Sequence, residues 1–281
     1  MTGDVMSTVA IVVPMYRNRF DSDEKISHRQ LLHFLGKFDK YLVVPESLEV
    51  AMDGFAIKRF RDEFFRNPVT YSALLLSREF YEAFRNYSFI LIYQLDALVF
   101  SDQLMEWCEL GWDYIGAPWV KCKEVDFVDE PTVGNGGFSL RRVESFLRVI
   151  DSPGFGSELE RYSDVLSAES ITPPVSQGEP QPRVTQRIAR RLGLSQRQRA
   201  DILGISAAAL RGYGLNEDFF WSMKAARYYA DFSKASVKDA LRFSFEVAPR
   251  LCYEMNGRQL PFGCHAWNRY DREFWEPFLL K

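Results

Sequence analysis

The chain has 281 residues, of which 47% are hydrophobic and 26% charged, and its formal net charge is −3 at pH 7. This composition is sufficient for a sizeable core and excludes a disordered or collagen-like chain. A sequence pI near 5.8 argues against a protein that binds nucleic acid over its whole surface. Aromatic residues make up 15%, and we expect most of them in the core; the alternative is that some Tyr and Trp rings line a binding site.

The four cysteines, Cys108, Cys122, Cys252 and Cys264, lie far apart without CxxC spacing, which argues against a structural zinc site. No apolar run approaches the roughly 18 residues of a transmembrane helix. The start of the chain lacks the basic region and long apolar run of a signal peptide. We therefore expect a reduced, cytoplasmic compartment.

The first sixty residues have the spacing of a parallel α/β sheet. Residues 9–15 read as a buried strand, 28–37 as a helix, 41–44 as a second strand and 57–60 as a third. A strand, a helix and a strand in this order are typical of a parallel sheet.

Residues 70–86 have apolar positions at helical spacing, and Thr70 or Ser72 is the predicted N-cap. Residues 89–93 then form a predicted buried strand with Asp96 just beyond its carboxyl end. Ligands of open α/β sheets bind outside the carboxyl ends of the strands, so both the location and the residue type of Asp96 suit a ligand-binding role.

A short strand is predicted over residues 112–119, followed by a glycine-rich stretch at 134–137. Its three glycines allow a sugar or a phosphate to lie against bare backbone amides. The alternative is an ordinary turn before the next element. Residues 139–142, with sequence SLRR, are predicted to open a helix that runs to about Ile150.

The composition changes after residue 165. Residues 166–183 are rich in Pro, Ser and Gln and predict a mobile loop, and residues 184–214 predict a basic helical insert. A helix is predicted from Asn216 onward, and residues 247–281 hold a strand or two before an aromatic tail.

Asp96 is the first candidate for chemistry. A carboxylate at a strand end can bind a divalent cation that neutralises a diphosphate, or it can cap the next helix. A D-x-D pair would be a better metal site, but Gln94 stands at the first position in one register and Leu98 at the second in the other. Metal dependence is therefore open at the level of sequence.

Glu217 and Asp218 are adjacent carboxylates at a predicted helix start. One can take the proton of an acceptor hydroxyl while the other orients the acceptor; alternatively, both complement the helix dipole. His265 can bind manganese or zinc or contact a diphosphate, or it is a structural histidine. Cys264 is expected to serve packing.

These elements resemble the GT-A class of nucleotide-sugar glycosyltransferases, which carry a strand-end Asp, a glycine loop, an x-Glu-Asp motif and a late His in this order. The strings YQLDALVF, GWDYIGAPW, VGNGGFSLRR, NEDFFW and FGCHAW resemble one uncharacterised glycosyltransferase-like family found among bacterial polysaccharide genes. The resemblance covers about residues 8–150 and 212–270.

The resemblance implies an α/β fold that is GT-A-like, or Rossmann-like, with a central mixed, mostly parallel sheet flanked by helices and carrying a helical insert. It implies one domain over 1–281. Residues 8–150 would be the nucleotide-sugar-binding half, 151–211 the mobile loop and basic insert, and 212–281 the acceptor-binding and catalytic half.

In this resemblance Asp96 matches the position that meets the metal or the diphosphate, with Gln94 beside it on the donor side. Gly136 and Gly137 match the loop near the donor sugar and the acceptor, and Asn135 before them is a further candidate for donor binding.

Asp218 matches the catalytic base of inverting members, with Glu217 next to it, and His265 matches the late metal or phosphate ligand. Tyr16 and Arg17 follow the first strand, and their position alone makes them candidates to contact the base or the ribose.

The implied reaction is transfer of a hexosyl or deoxyhexosyl group, with inversion, from a nucleotide sugar to a saccharide or lipid-linked saccharide. The divalent cation would be Mn²⁺ or Mg²⁺. The setting would be bacterial O-antigen or capsule assembly, in the cytoplasm or at the inner face of the membrane.

Two other classes of function stay open. Residues 186–214 contain two similar Arg-rich segments, each with a glycine, as in a DNA-binding helix-turn-helix regulator. The same basic segment can instead cover the acceptor or touch an anionic membrane. The incomplete D-x-D also fits a sugar-nucleotide-binding module without turnover.

Overall fold

The computed structural model describes residues 7–156 and 216–280. Within these residues the chain forms short and long strands in three sheets. The strands are β1 (Ser7–Pro14), β2 (Asp39–Pro45), β3 (Ala56–Phe60), β4 (Tyr87–Tyr93), β5 (Leu98–Val99), β6 (Tyr114–Ile115), β7 (Pro118–Trp119), β8 (Thr132–Val133), β9 (Phe138–Arg142), β10 (Ser244–Phe245) and β11 (Gly263–Cys264).

Helices of four to fourteen residues connect and flank these strands. They are α1 (Ser22–Leu35), α2 (Pro68–Leu74), α3 (Arg78–Glu82), α4 (Leu104–Glu109), α5 (Val143–Ile150), α6 (Glu217–Met223), α7 (Val237–Phe243), α8 (Pro249–Met255) and α9 (Arg272–Trp275). None of the helices in the described ranges is long and apolar enough to cross a membrane.

The central sheet has six strands in the order β3-β2-β1-β4-β9-β6. The pairs β3-β2, β2-β1 and β1-β4 are parallel, whereas β9 is antiparallel to both of its neighbours. The predicted fold class, a mixed and mostly parallel sheet flanked by helices, is confirmed. The predicted strands at 9–15, 41–44, 57–60 and 89–93 lie within or overlap β1, β2, β3 and β4.

The predicted helix start at residues 139–142 is wrong. These residues belong to β9, in which Leu140 pairs with Leu91 and Phe138 with Tyr93 of β4. Helix α5 begins only at Val143. The strand forms because its partners in β4, residues 89–93, are buried and lie far away in the sequence. Local helical spacing carries no signal of that pairing.

Two helix boundaries also differ from the sequence prediction. Helix α1 begins at Ser22 and not at 28, because Asp21 and Glu24 form a reciprocal capping box. The predicted helix at 70–86 is broken into α2 and α3. Ser77 caps α3 by accepting a hydrogen bond from the Phe80 amide, so the chain leaves the first helix there.

Helix α6 opens the second described range and packs against the end of the first. The ring centroids of Phe155 and Phe220 are 5.4 Å apart, and both rings also meet Tyr228. The predicted loop at 166–183 and the basic insert at 184–214 lie outside the described residues.

Candidate functional site

The turn after β4 and the glycine loop before β9 meet at one edge of the central sheet. The amide of Gln94 donates to the Gly137 carbonyl at 2.9 Å and so continues the pairing of the two strands. The Ala97 amide closes the turn by donating to the Gln94 carbonyl at 2.9 Å. This geometry places Asp96, inside the turn, at the carboxyl end of β4 beside the glycine loop.

The glycine loop passes so close to its neighbours that side chains are excluded. A β-carbon at Gly136 would overlap the Glu217 carboxylate, and one at Gly137 would overlap the imidazole of His265. Asn135 precedes them with φ of 55°, a left-handed conformation that asparagine tolerates. The loop therefore places backbone without side chains between the Glu217 carboxylate and the His265 imidazole.

His265 is brought to this edge by the small sheet of β10, β11 and β5. The Trp267 amide donates to the Asp96 carbonyl at 3.1 Å, which ties the segment after β11 to the turn after β4. His265 Nε2 then lies 3.2 Å from Asp96 Oδ1 and 3.1 Å from Gln94 Oε1. The three side chains converge on one point.

The other ring nitrogen of His265 faces Glu246. Nδ1 is 2.9 Å from Glu246 Oε1. The side chains of His265 and Glu246 are 12% and 14% exposed, whereas that of Asp96 is 39% exposed. Although burial works against its charge, Asp96 and Glu246 hold the pKa of His265 well above its usual range. Burial also opposes ionisation of Asp96, yet the charge of His265 lowers the pKa of that carboxyl.

Asp218, in the first turn of α6, contacts the glycine loop at Gly136. The Gly136 amide donates to Asp218 Oδ2 at 3.2 Å, and the Phe219 amide donates to Oδ1 at 2.7 Å. Burial raises the pKa of Asp218 to about 8, assisted by the negative charges of Glu217 and Glu246. A carboxyl with such a pKa can exchange a proton near neutral pH.

Glu217 points away from Asp218 into a buried ion pair. Its Oε1 accepts from Arg141 Nη2 at 2.8 Å, and its Oε2 accepts from the Ser72 hydroxyl at 3.3 Å. The Arg141 side chain is completely buried and also donates to the Gly136 carbonyl at 3.3 Å and to the Tyr81 hydroxyl at 3.0 Å. The pair thus holds the glycine loop in place through the Gly136 carbonyl.

Tyr16 and Arg17 lie apart from this cluster. Arg17 is held by Asp21 and Glu24 at 2.8 Å each, and the Tyr16 ring is 66% exposed. In the described residues no hydrogen bond or ion pair joins either side chain to Asp96, Asp218 or His265.

Sequence reasoning missed three side chains of the site: Glu246, Arg141 and Tyr71. The sequence around Glu246 contains no motif, and its role appears only when β10 is placed beside β11. Arg141 could have been noticed as a charge that directly follows the apolar residues Phe138 and Leu140 in the string FSLRR. Tyr71 Oη is buried beside Gln94 and Glu217 without a hydrogen bond of acceptable geometry, a property only coordinates reveal.

The side chains that converge at His265 Nε2 can hold a divalent cation. Two oxygen donors and one imidazole nitrogen are ligands that Mn²⁺ accepts, and the partly exposed Asp96 leaves the point open to solvent. Within the described ranges there is no group of three or more His, Cys, Asp or Glu side chains arranged for a metal. The third protein donor would be the amide oxygen of Gln94.

A family model matches residues 54–265, which include every site residue from Gln94 to His265. Its description is "Protein of unknown function (DUF5672)". The chain belongs to this family. The match leaves out Tyr16 and Arg17 of the DUF5672 chain. No curated protein sequence matches the chain.

The solved structures to which the chain shows some similarity include three glycosyltransferases. GlyE of Streptococcus pneumoniae is 13% identical with a TM-score of 0.43, and the match covers 98% of this chain but 61% of GlyE. An active-site mutant of LgtC is 12% identical with a TM-score of 0.46, covering 96% and 94% of the two chains. A glycosyltransferase involved in glycosylation of the PBCV-1 major capsid is 11% identical with a TM-score of 0.40, covering 96% and 98%. At such TM-scores, nothing about activity follows from these likenesses.

Proposed function

We propose that this chain is a glycosyltransferase that moves a sugar from a nucleotide-sugar donor to an acceptor hydroxyl. The observation that carries the proposal is the pair of consecutive glycines. Gly136 contacts Asp218, a proton acceptor, and a side chain at Gly137 would overlap His265, which stands next to Asp96. Direct displacement at a sugar carbon needs a base on one side of the reacting centre and stabilisation of the leaving diphosphate on the other.

In the proposed step Asp218 takes the proton from the acceptor hydroxyl. The acceptor oxygen attacks the anomeric carbon, the bond from that carbon to the diphosphate breaks, and the configuration inverts. The raised pKa of Asp218, about 8, brings its proton affinity close to the working pH. Asp218 is the general base of this proposal, and transfer should rise with pH as this carboxyl ionises.

Asp96 and His265, together with the Gln94 amide oxygen, are the residues that would hold Mn²⁺ or Mg²⁺. Such a cation supplies positive charge that neutralises the diphosphate. Glu217 acts as a positioning residue. It accepts a hydrogen bond from Arg141, and Arg141 in turn donates to the Gly136 carbonyl. Asn135 orients the loop, and Tyr16 and Arg17 would meet the base or ribose at the end of β1.

The donor sugar in this proposal is a hexose or deoxyhexose, and the acceptor is a saccharide or a lipid-linked saccharide of a bacterial surface polysaccharide. A lipid-linked acceptor would bring the enzyme to an anionic membrane surface. Liposome flotation tests that part separately, and an absence of binding to anionic vesicles removes the membrane contact without affecting sugar transfer.

The test of the activity is a thermal-shift screen of nucleoside diphosphates and nucleotide sugars, each with and without Mn²⁺. Binding to the folded state raises Tm by mass action. Asp218→Asn should keep the shift and lose transfer by at least about a hundredfold, the lower end of general-base contributions. The control is Asp129→Asn, whose carboxyl is 96% exposed on the surface.

Near-normal transfer by Asp218→Asn would remove Asp218 from the role of base. Binding without any transfer or hydrolysis by the wild type would favour a sugar-nucleotide-binding module instead. A failure to bind any nucleotide would contradict the proposal as a whole.

A further inference from the structure

Glu246 and His265 are placed side by side by the pairing of β10 with β11. The two strands are parallel with Phe245 opposite Cys264, and the next residue of each strand is one of the pair. The His265 amide donates to the Phe245 carbonyl at 2.9 Å, so the register continues through His265. The contact between Glu246 Oε1 and His265 Nδ1, at 2.9 Å, is therefore built into the sheet.

Asn135, a second neighbour of His265 Nδ1, requires the opposite protonation state of that nitrogen. Asn135 Nδ2 lies 3.0 Å from it, while the Asn135 amide oxygen accepts from the Phe138 amide at 3.4 Å. An amide nitrogen only donates, so it would need a bare Nδ1. An ionised carboxylate only accepts, so Glu246 needs a proton on Nδ1. The charge-assisted bond to Glu246 is the stronger of the two.

The state of Nδ1 decides what Nε2 can do. With one proton fixed on Nδ1, the other proton of the ring is the one on Nε2 that faces Asp96 Oδ1 and Gln94 Oε1. A cation bound at that point would replace the Nε2 proton and take the lone pair of this nitrogen. With a bare Nδ1, the proton sits on Nε2 and blocks that point. A carboxylate that accepts from the outer nitrogen of a metal-binding histidine both orients the ring and raises its basicity.

We propose that Glu246 is a positioning residue that keeps the proton on His265 Nδ1 and so directs the Nε2 lone pair toward Gln94 and Asp96 for a divalent cation. This inference rests on the proposed function for the presence of that cation. It adds a role for a residue outside the Asp, glycine-loop and Glu-Asp motifs. Asn135 then serves the loop rather than the ring.

The test compares Glu246→Gln and Glu246→Ala with the wild type and with Glu144→Gln, whose carboxylate is 70% exposed. Mn²⁺ affinity is measured by calorimetry on the full chain. We expect Glu246→Ala to weaken Mn²⁺ binding by about 10- to 100-fold, with partial rescue in Glu246→Gln, because the Gln side-chain oxygen can still accept. Glu144→Gln should bind Mn²⁺ like the wild type.

A second readout needs neither metal nor activity. The chain has three histidines, so the imidazole nitrogens of His265 can be assigned in a ¹⁵N spectrum by comparison with His265→Gln. The wild type should show a hydrogen-bonded Nδ1–H, and Glu246→Ala should lose that signal while keeping its fold by amide spectra. A bare Nδ1 in the wild type would overturn the inference.

The outcomes separate this inference from the function on which it rests. Equal Mn²⁺ affinity in wild type and Glu246→Ala would overturn the role of Glu246 and leave the glycosyltransferase proposal intact. If the wild type bound nucleotide sugars but no Mn²⁺, the cation and the role of Glu246 would fall together. If it bound neither, the proposed function would fall first.

Discussion

The two sides of the glycine loop differ in how their charges are balanced. On one side Glu217 and Arg141 form a buried pair, and their remaining groups bond to Ser72, Tyr81 and the loop. On the other side a single imidazole, His265, stands between two carboxylates, and one of them, Asp96, is 39% exposed. A balanced buried pair serves structure, whereas a partly exposed surplus of carboxylate attracts a cation.

We expect the largest effect on stability from a substitution in the buried pair of Glu217 and Arg141. Glu217→Gln leaves the Arg141 charge buried without its carboxylate, and we expect a loss of about 3 to 5 kcal/mol in the free energy of unfolding. Asp96→Asn should change it little, because that side chain meets solvent. Urea denaturation measures both. Equal losses in the two variants would contradict the distinction between the two sides.

The second prediction uses the raised pKa of Asp218. Its folded pKa of about 8 lies above the ordinary value of 3.8, so between these values the folded chain retains a proton that the unfolded chain has released. Stability should therefore fall as pH rises through this window, by up to about 1.4 kcal/mol per pH unit. Asp218→Asn removes that slope and should be more stable than the wild type at pH 8.

Urea unfolding of both proteins from pH 5 to pH 9 measures the slope. The charged groups that act on Asp218 are Glu217, Glu246 and Arg141, and all three are retained in the Asn variant. Asp129→Asn, altered at an exposed carboxyl, should follow the wild type. Parallel curves for wild type and Asp218→Asn would contradict a raised pKa.

The third prediction concerns the contact between the loop and the unbalanced side. In Gly137→Ala the new methyl group would overlap the His265 imidazole, and we expect a cost of about 1 to 3 kcal/mol together with loss of Mn²⁺ binding. Gly156→Ala is the control, because its added β-carbon meets no atom of the described residues within 4 Å. Unchanged Mn²⁺ binding in Gly137→Ala would contradict the claim that the glycine loop fixes the position of the His265 imidazole for the cation.

The sequence predicted those parts of the fold whose signals are local. The buried strands β1, β2 and β4 stand out as apolar runs, and the turn carrying Asp96 follows from the end of one of them. Strand β9 was mistaken for a helix start, since its identity depends on antiparallel pairing with β4. For the same reason the sequence does not predict the ion pair between Arg141 and Glu217, which lie 76 positions apart in the sequence.

The site shows the same division between local and distant information. Asp96, Gly136, Asp218 and His265 could be selected because each lies in a short motif. Glu246 could not, because its partner lies 19 positions away on a neighbouring strand and no motif surrounds it. A charge pair between residues on neighbouring strands can be recognised only when the register of the strands is known, and that register is known only from the assembled sheets.

The packing of Phe155 on Phe220 has a practical consequence for engineering. Phe155 lies one residue before the end of the first described range, and its ring centroid is 5.4 Å from that of Phe220 in α6. A glycine-serine linker between the two described ranges should preserve this ring contact, and its length can be varied because loop-closure entropy depends only weakly on length. Such a shortened chain would separate what the central sheet does alone from whatever the excised sequence adds.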